Sequence, residues 1–199
     1  YFMNYLAHAY LSFHHPQILV GNMISDYVKG KKKFDFPAGI QFGIMLHREI
    51  DSFTDGHEAT QKAKSFFRPQ YRLYAGAFVD VVYDYFLAND ETEFNDDSLK
   101  AFAVETYTLL SKHTEYFPEK FASMFPYMKS QNWLYNYQYK WGIAKSMSGV
   151  VKRANYLSES ETAFNLFEKN IEEFHLCYNQ FWADLMPFAK NQFEKFDHL

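Results

Sequence analysis

The sequence predicts an all-α fold, a single-domain, HD-domain-like helical bundle of about seven to nine helices that spans residues 1–199. Apolar residues recur at the three- and four-residue spacing of amphipathic helices, and the alternating β-branched runs that mark strands are missing. No repeat, low-complexity tract or flexible linker divides the chain. Apolar residues make up 48% of the composition and aromatic residues 21%, which indicates a core built largely from Phe and Tyr.

Helix signals follow one another along the chain. Pro37 suits the start of a helix, and Asn95-Asp96-Asp97 offers a cap for the helix after it. Ser158 and Glu161 have the spacing of a capping box, which would open a long helix that Pro187 kinks or stops. Helices are expected over residues 3–13, 18–28, 37–54, 70–87, 98–113, a short segment bracketed by prolines 118 and 126, 132–146, and from the capping box at 158 to between 173 and 182.

Composition and charge exclude several classes of protein. The formal net charge is −4, which argues against nucleic-acid binding. No apolar run is long enough to span a bilayer and no signal-peptide pattern opens the chain, so a membrane protein is not expected. Cys177 is the only cysteine, which rules out an intrachain disulfide and fits a reducing compartment. We therefore expect a cytoplasmic protein.

The densest polar signal lies in the third predicted helix. His47, Asp51 and Asp55 follow one another at four-residue spacing, so their side chains project from one helix face. An imidazole and two carboxylates on one stripe suit a divalent cation. A hydrogen-bonded or solvated polar face would give the same pattern.

A second helix repeats this spacing among apolar neighbours. Asp80 and Asp84 are four residues apart in a segment that is otherwise almost entirely apolar or aromatic. Buried carboxylates repel each other and need a cation, an arginine or a proton nearby. The pair is a candidate for metal ligation, unless its stripe lies at the rim of the core and faces water.

Two further residues of the ligand type stand alone in apolar segments. Asp26 ends the segment 21–26, and His8 ends the run 4–8. A lone acid can cap a helix, and a lone histidine is more often a satisfied core residue than a ligand. Our hypothesis is that these helical segments turn their polar residues inward and meet around one metal ion, as carboxylate-metal sites do in helical bundles.

Several blocks of the sequence resemble the acyl carrier protein phosphodiesterase family. They are Met3-Asn4-Tyr5-Leu6-Ala7-His8, the segment GNMISDYVKG at 21–30 and the segment HREIDSFTD at 47–55. Phe66-Phe67-Arg68 and DVVYDYFL at 80–87 continue the likeness, which covers roughly the first half of the chain. Ordered blocks are much more specific together than any one of them alone.

The resemblance implies a fold, an activity and a metal. The family is similar to the HD-domain phosphohydrolases, which are helical and bind divalent metal through His and Asp. It implies hydrolysis of the phosphodiester that joins 4′-phosphopantetheine to a serine of acyl carrier protein, with Mn²⁺ as the expected metal and Mg²⁺ as the alternative. It implies Asp26 as an essential metal-linked residue and His47 and Asp51 as site residues, with Asp80 and Asp84 as further ligands or supporting groups.

Two departures from these patterns keep alternative functions open. A typical HD site has adjacent His and Asp, whereas three residues separate His47 from Asp51. The family pattern has His after the second Asp of the segment 80–87, where Tyr85 stands here. The alternatives are an HD-like phosphohydrolase that acts on a nucleotide or another small phosphodiester, and a carrier-binding helical module without catalysis.

Other polar residues have candidate roles in the chemistry that the resemblance implies. A metal-activated water would attack phosphorus, and Arg48 is a candidate to bind a phosphate oxygen. The competing role for Arg48 is an exposed partner of Glu49 or Asp51. His8, His47 or a second water would supply the proton that the leaving serine needs.

Two basic runs are expected to bind the carrier, which is small and acidic in this family. The first, which follows Asp26, consists of Lys29, Lys31, Lys32 and Lys33. The second consists of Lys62, Lys64, Arg68 and Arg72. A charge run is often only a solvated face, so reversing charges in it is the appropriate test.

Overall fold

A computed structural model of the chain describes residues 5–154 and 156–198, and these residues form eleven α-helices and no strand. The α-helices are α1 Tyr5–Tyr10, α2 Pro16–Ile24, α3 Ala38–Gly56, α4 Glu58–Tyr71, α5 Ala75–Ala88, α6 Asp96–Ser111, α7 Glu119–Ser130, α8 Trp133–Asn136, α9 Lys140–Arg153, α10 Glu161–Lys169 and α11 Ile171–Glu194. Short 3₁₀ turns cover Ser25–Tyr27, Gly30–Asp35, Arg72–Tyr74, Thr114–Tyr116 and Lys195–His198. The all-α prediction is confirmed. Residues 3 and 4 of the first predicted helix lie outside the described residues.

The helix count exceeds the predicted seven to nine because the chain breaks more often than its sequence signals. The predicted helix 70–87 is instead the end of α4 and the whole of α5, separated by the turn Arg72–Tyr74. Arg72 has φ 47° and ψ −115°, a conformation that no helix can accommodate and that a non-glycine residue rarely adopts. Likewise, the predicted helix 132–146 is divided into α8 and α9.

Two predictions about the C-terminal helices were wrong. The N-cap of α10 is Ser160, whose side chain makes no capping hydrogen bond, and the Glu159 carboxylate accepts the Thr162 N–H instead of a box formed by Ser158. The long helix divides at Asn170, and α11 continues through Pro187 to Glu194. A proline inside a helix removes one hydrogen bond, and here the packing of α11 outweighs that loss.

Helices α2 and α3 approach each other very closely, and two glycines make this possible. A Cβ atom on Gly21 would lie 2.1 Å from the Ile40 carbonyl oxygen, and one on Gly43 would lie 2.3 Å from that of Ile18. Both distances are far below contact distance, so neither position tolerates a side chain without separating the helices. This contact fixes the position of α3, which carries the predicted site residues His47, Arg48, Asp51 and Asp55.

The buried apolar residues form one cluster rich in aromatic rings. Phe67 of α4 lies 5.5 Å from Phe78 of α5 and 5.1 Å from Phe174 of α11, measured between ring centroids. Burying each such side chain contributes roughly 1.5–3 kcal/mol. Cys177 is buried in the same core, as its apolar surroundings in the sequence indicate. In the described part of the chain, no helix is both long and apolar enough to cross a membrane.

Candidate metal centre

Three predicted site residues form a compact cluster. His8 comes from α1, and His47 and Asp51 come from one face of α3. The Asp51 carboxylate places Oδ1 3.2 Å from His8 Nε2 and Oδ2 3.2 Å from His47 Nε2. The two imidazole rings stack with their centroids 3.9 Å apart and 17° between their planes. Each residue offers one ligand atom within 4.8 Å of the others, which makes the group a candidate for binding a metal ion.

Asp26 joins this cluster from the 3₁₀ turn Ser25–Tyr27. Its Oδ1 atom lies 3.5 Å from His47 Nε2, so that nitrogen faces the carboxylates of both Asp26 and Asp51. The structure thus brings together residues from three separate segments, as the convergence hypothesis requires. The segments are α1, the turn after α2, and α3.

The donor atoms of the cluster fit a cation. The His8 Nε2, His47 Nε2 and Asp26 Oδ2 atoms are buried and make no hydrogen bond, although carboxylate oxygens lie close to both nitrogens. Buried polar atoms normally have a partner, so three orphaned ligand atoms at one point are unusual. Asp51 is 48% exposed and opens the cluster to solvent. Two imidazoles and two carboxylates suit a divalent metal ion.

Asn22 positions both histidines, and it was not among the residues predicted from the sequence. The His47 Nδ1–H donates to the Asn22 carbonyl oxygen at 2.8 Å, which directs the Nε2 lone pair at the carboxylates. The Asn22 side-chain amide donates to the His8 carbonyl oxygen at 2.8 Å and to Ser12 Oγ at 3.1 Å. The available signal was a polar residue inside an apolar segment four residues before Asp26.

The charges of the carboxylates in the cluster are balanced by a histidine in the way that a bound cation would balance them. Burial lowers the pKa of His8, which keeps its imidazole neutral. Burial also acts to lower the pKa of His47, but the nearby Asp26 and Asp51 carboxylates outweigh it and raise the pKa to about 10. Burial acts to raise the pKa of Asp51, and the two histidines outweigh it and lower the pKa. A proton on His47 therefore occupies the position between carboxylates that a metal ion would prefer.

The cluster lies at one wall of a cleft of about 570 Å³. Asp26 and Asp51 line it together with Asp80, whose pKa is raised well above its usual value by burial and then by the Asp51 charge. Asp55 also lines the cleft, but its carboxylate pairs with Lys64 at 2.6 Å and it is absent from the compact cluster. The other lining residues are Thr54, Gln61, Lys64, Arg68, Arg72, Leu73, Ala75 and Gly76.

Asp84 has contacts of a different kind. Its Oδ2 accepts the Leu6 N–H at 3.1 Å, and its Oδ1 accepts the Ala7 N–H at 2.9 Å. Burial raises its pKa to about 8, and these two donors act in the opposite direction. Both carboxylate oxygens are engaged at the start of α1, so Asp84 anchors the helix that carries His8. These contacts give no support to its predicted role as a metal ligand.

Arg48 also differs from its two predicted roles. Its guanidinium donates to the Val28 carbonyl oxygen at 2.8 Å, so it contacts neither the Glu49 nor the Asp51 carboxylate. Val28 directly follows the turn that carries Asp26. Arg48 therefore holds the end of that turn against α3, and it is not among the residues that line the cleft.

The basic residues divide between the cleft and the remaining surface. Lys64, Arg68 and Arg72 line the same cleft as the carboxylates. Arg68 donates to the Gln61 side chain, whereas Arg72 forms no ion pair with any described residue. Lys62 instead pairs with Glu173 of α11 at 2.7 Å, outside the cleft lining. The lysines at 29 and 31–33 lie on and before the 3₁₀ turn Gly30–Asp35, also outside that lining.

Comparison with known proteins agrees with the resemblance in the sequence. The model of the family described as acyl carrier protein phosphodiesterase matches residues 3–185. The chain belongs to the acyl carrier protein phosphodiesterase family. Relatives of that name include one from Photorhabdus laumondii subsp. laumondii, 31% identical over 96% of both chains. Others come from Serratia proteamaculans, at 28% identity, and Klebsiella pneumoniae, at 29%, each over 96% of this chain and 99% of the relative.

No solved structure matches this member of the acyl carrier protein phosphodiesterase family significantly. Its likeness to the HD-domain fold therefore stays a prediction. At the position of Tyr85, where the family pattern implied His, the ring packs at 5.3 Å against Phe167 of α10, edge to face. Tyr85 is five residues from Asp80, about 140° around α5, so it projects from a different face than the residue in the cleft.

Proposed function

We propose that this protein hydrolyses the phosphodiester between 4′-phosphopantetheine and the serine of acyl carrier protein, and that a divalent metal ion, Mn²⁺ or else Mg²⁺, is required. The family match and the names of the relatives support the activity. The observation that carries the metal dependence is the cluster of His8, Asp26, His47 and Asp51, with three orphaned ligand atoms at the wall of an open cleft. A cytoplasmic location belongs to the same proposal, because carrier proteins of fatty acid synthesis act there.

The residues of the cluster divide the chemical tasks. His8, Asp26, His47 and Asp51 would hold the metal ion, with Asp80 as an additional carboxylate in the cleft. A bound divalent ion supplies a water of lowered pKa and offsets negative charge on the phosphoryl oxygens. The Asn22 carbonyl oxygen accepts a hydrogen bond from His47 Nδ1–H, which leaves Nε2 to serve as the ligand atom.

The basic residues that line the cleft suit the phosphate group. Arg72 has no ion-pair partner among the described residues and can therefore bind a phosphoryl oxygen without breaking a contact. Its backbone at φ 47° is strained, and strain of this kind is common where a side chain is held for function. Lys64 and Arg68 add positive charge beside it.

Binding of an acidic carrier should depend on these cations. Arg72, Arg68 and Lys64 belong to the cleft, and the exposed lysines at 31 and 32 extend the positive charge beyond the turn that carries Asp26. Changing Lys31, Lys32 and Lys33 to Glu should weaken carrier binding at low salt while metal binding is unchanged. An unchanged carrier affinity would remove this run from the docking surface.

The deciding experiment follows the mass of the carrier. Holo-acyl carrier protein incubated with the protein and Mn²⁺ should lose the mass of its phosphopantetheine arm, as measured by mass spectrometry. Asp51→Ala should abolish the loss, because it removes the carboxylate that joins both histidines. Glu49→Ala is the matched control, since Glu49 lies on the same helix, is exposed and contacts none of the cluster.

The alternatives give different results in the same assay. Turnover of a small phosphodiester with no loss from the carrier would favour a general phosphohydrolase. Binding of holo-carrier without loss of the arm, with Mn²⁺ or Mg²⁺ present, would favour a carrier-binding module without catalysis. Either result would contradict the proposed activity.

A further inference from the structure

A second pocket, of about 250 Å³, lies among α1, α5, α8 and α9 and shares no residue with the metal-centre cleft. Its walls are mostly apolar and include Tyr5, Val81, Trp133, Tyr137 and Trp141. Trp141 is 55% exposed, which is unusual for so large an apolar side chain. A concave, mostly apolar site with a few polar groups is the usual form of a small-molecule site.

Close backbone packing maintains one wall of the aromatic pocket. A Cβ atom on Gly142 of α9 would lie 2.1 Å from the carbonyl oxygen of Asn136, the last residue of α8. The start of α9 is thus held against the end of α8, and Trp133 and Trp141 of the two helices line the same pocket. The pocket is therefore part of the fold and does not depend on loose side chains.

Three cations line the aromatic pocket, and all come from α9. Lys145 donates to the Gln131 side chain at 2.7 Å, whereas Lys152 and Arg153 form no ion pair within the described part of the chain. Arg153 folds back over Gly149, where a Cβ atom would lie 3.3 Å from a guanidinium nitrogen. The missing side chain at position 149 leaves room for this arginine above the pocket.

The charge of Arg153 reaches the tyrosines of the pocket. Burial raises the pKa of Tyr137 and of Tyr5 well above the usual value, and Arg153 acts electrostatically to lower both. Arg153 lines the same pocket as these two tyrosines. The site combines an apolar aromatic wall with an unpaired positive charge at one end.

We propose that the aromatic pocket binds an amphipathic carboxylate with an apolar body of the acyl-chain type. A purely apolar ligand would leave Lys152 and Arg153 without a partner, and a small inorganic anion would leave Trp133 and Trp141 uncovered. An acyl chain against the aromatic wall with its carboxylate at the guanidinium satisfies both. The site is separate from the proposed hydrolase site and does not require that activity.

Decanoate is a suitable probe, and calorimetry of the full-length protein measures its binding. We expect saturable binding of decanoate, weaker binding of decanol and no detectable binding of acetate, because both the chain and the charge contribute. Arg153→Gln should weaken decanoate binding about tenfold, since one charge-assisted hydrogen bond at a partly exposed site is lost. Ser148→Phe, which fills the pocket from α9, should abolish it.

A matched control and a local readout complete the test. Lys100→Gln on α6 removes an exposed charge outside the pocket and should leave decanoate affinity unchanged. Decanoate should also change the fluorescence of the wild-type protein, and Trp141→Phe should remove most of this change. Absence of saturable binding, or equal affinity in the wild type, Arg153→Gln and Ser148→Phe, would overturn the proposal.

Discussion

Asp84 is the residue whose replacement tests the link between the fold and the metal centre most directly. Its two carboxylate oxygens accept the buried N–H groups of Leu6 and Ala7 at the start of α1. His8 follows Ala7 directly in that helix, and its Nε2 atom lies 3.2 Å from Asp51 Oδ1. Asp84→Ala should therefore destabilise the fold and also release one ligand of the cluster.

The expected size of the effect follows from these two hydrogen bonds. Leu6 and Ala7 are almost completely buried, so water cannot replace the lost acceptor. Each buried N–H without a partner costs about 1–3 kcal/mol, and allowing for relaxation the sum is about 3 kcal/mol. For a protein of this size that corresponds to a fall in Tm of about 6–12 °C. Asp84→Asn keeps one oxygen acceptor, so about half of this loss is expected.

The pH dependence has a definite sign. The pKa of Asp84 is about 8 in the folded protein and about 4 in an unfolded chain, so folding takes up a proton between these values. The contribution of Asp84 is complete below pH 4 and is lost as pH rises toward 8. Asn does not titrate, so the stability difference between the wild type and Asp84→Asn should shrink as pH rises through this window.

Thermal unfolding of the three proteins at several pH values, followed by circular dichroism, measures both effects. Metal titration by calorimetry should in addition show weaker binding in Asp84→Ala than in Asp84→Asn. If Asp84→Asn were as stable as the wild type but had lost metal binding, Asp84 would be a ligand and the anchoring role would be refuted.

Three further predictions concern the cluster and the cleft. Asp51→Asn should lower metal affinity by at least about tenfold in calorimetry, because one of the negative charges that attract the ion is removed; unchanged affinity would exclude Asp51 as a ligand. Arg72→Gln should raise KM for the carrier or lower kcat. Arg72→Gly should raise Tm slightly, because it relieves the backbone strain, while activity falls. If the variants had the same kinetic constants as the wild type, a phosphate contact by Arg72 would be excluded. Gly43→Ala should lower Tm strongly, whereas Gly56→Ala, at a position with open space around the added Cβ, should not; similar Tm values would contradict the requirement for close α2–α3 contact.

Helix periodicity predicts part of the candidate cluster because it decides which side chains share a helix face. His47 and Asp51 are four residues apart, and His47 Nε2 lies 3.2 Å from Asp51 Oδ2 in the structure. Asp26 and His8 had no such local signal, and only the meeting of segments distant in sequence brings them to His47 and Asp51. The ordered blocks that resemble the family linked these residues to one site, which helix periodicity alone could not do.

Other features depend on contacts that no local pattern encodes. Asp80 and Asp84 have the same spacing as His47 and Asp51, yet one lines the cleft and the other caps α1. The difference arises because α1 packs against α5 at Asp84, and this tertiary contact is not encoded in the local sequence. Arg72 likewise ends α4 without a glycine, so its unusual backbone has no sequence signal.

The residues that form the metal cluster and line its cleft all fall between positions 8 and 80. Among the described residues, helices α6 to α11 contribute none to the cluster or to the cleft lining. Chimaeras that join the first ninety or so residues of one relative to the later helices of another should keep their metal preference from the first and their accessory binding from the second.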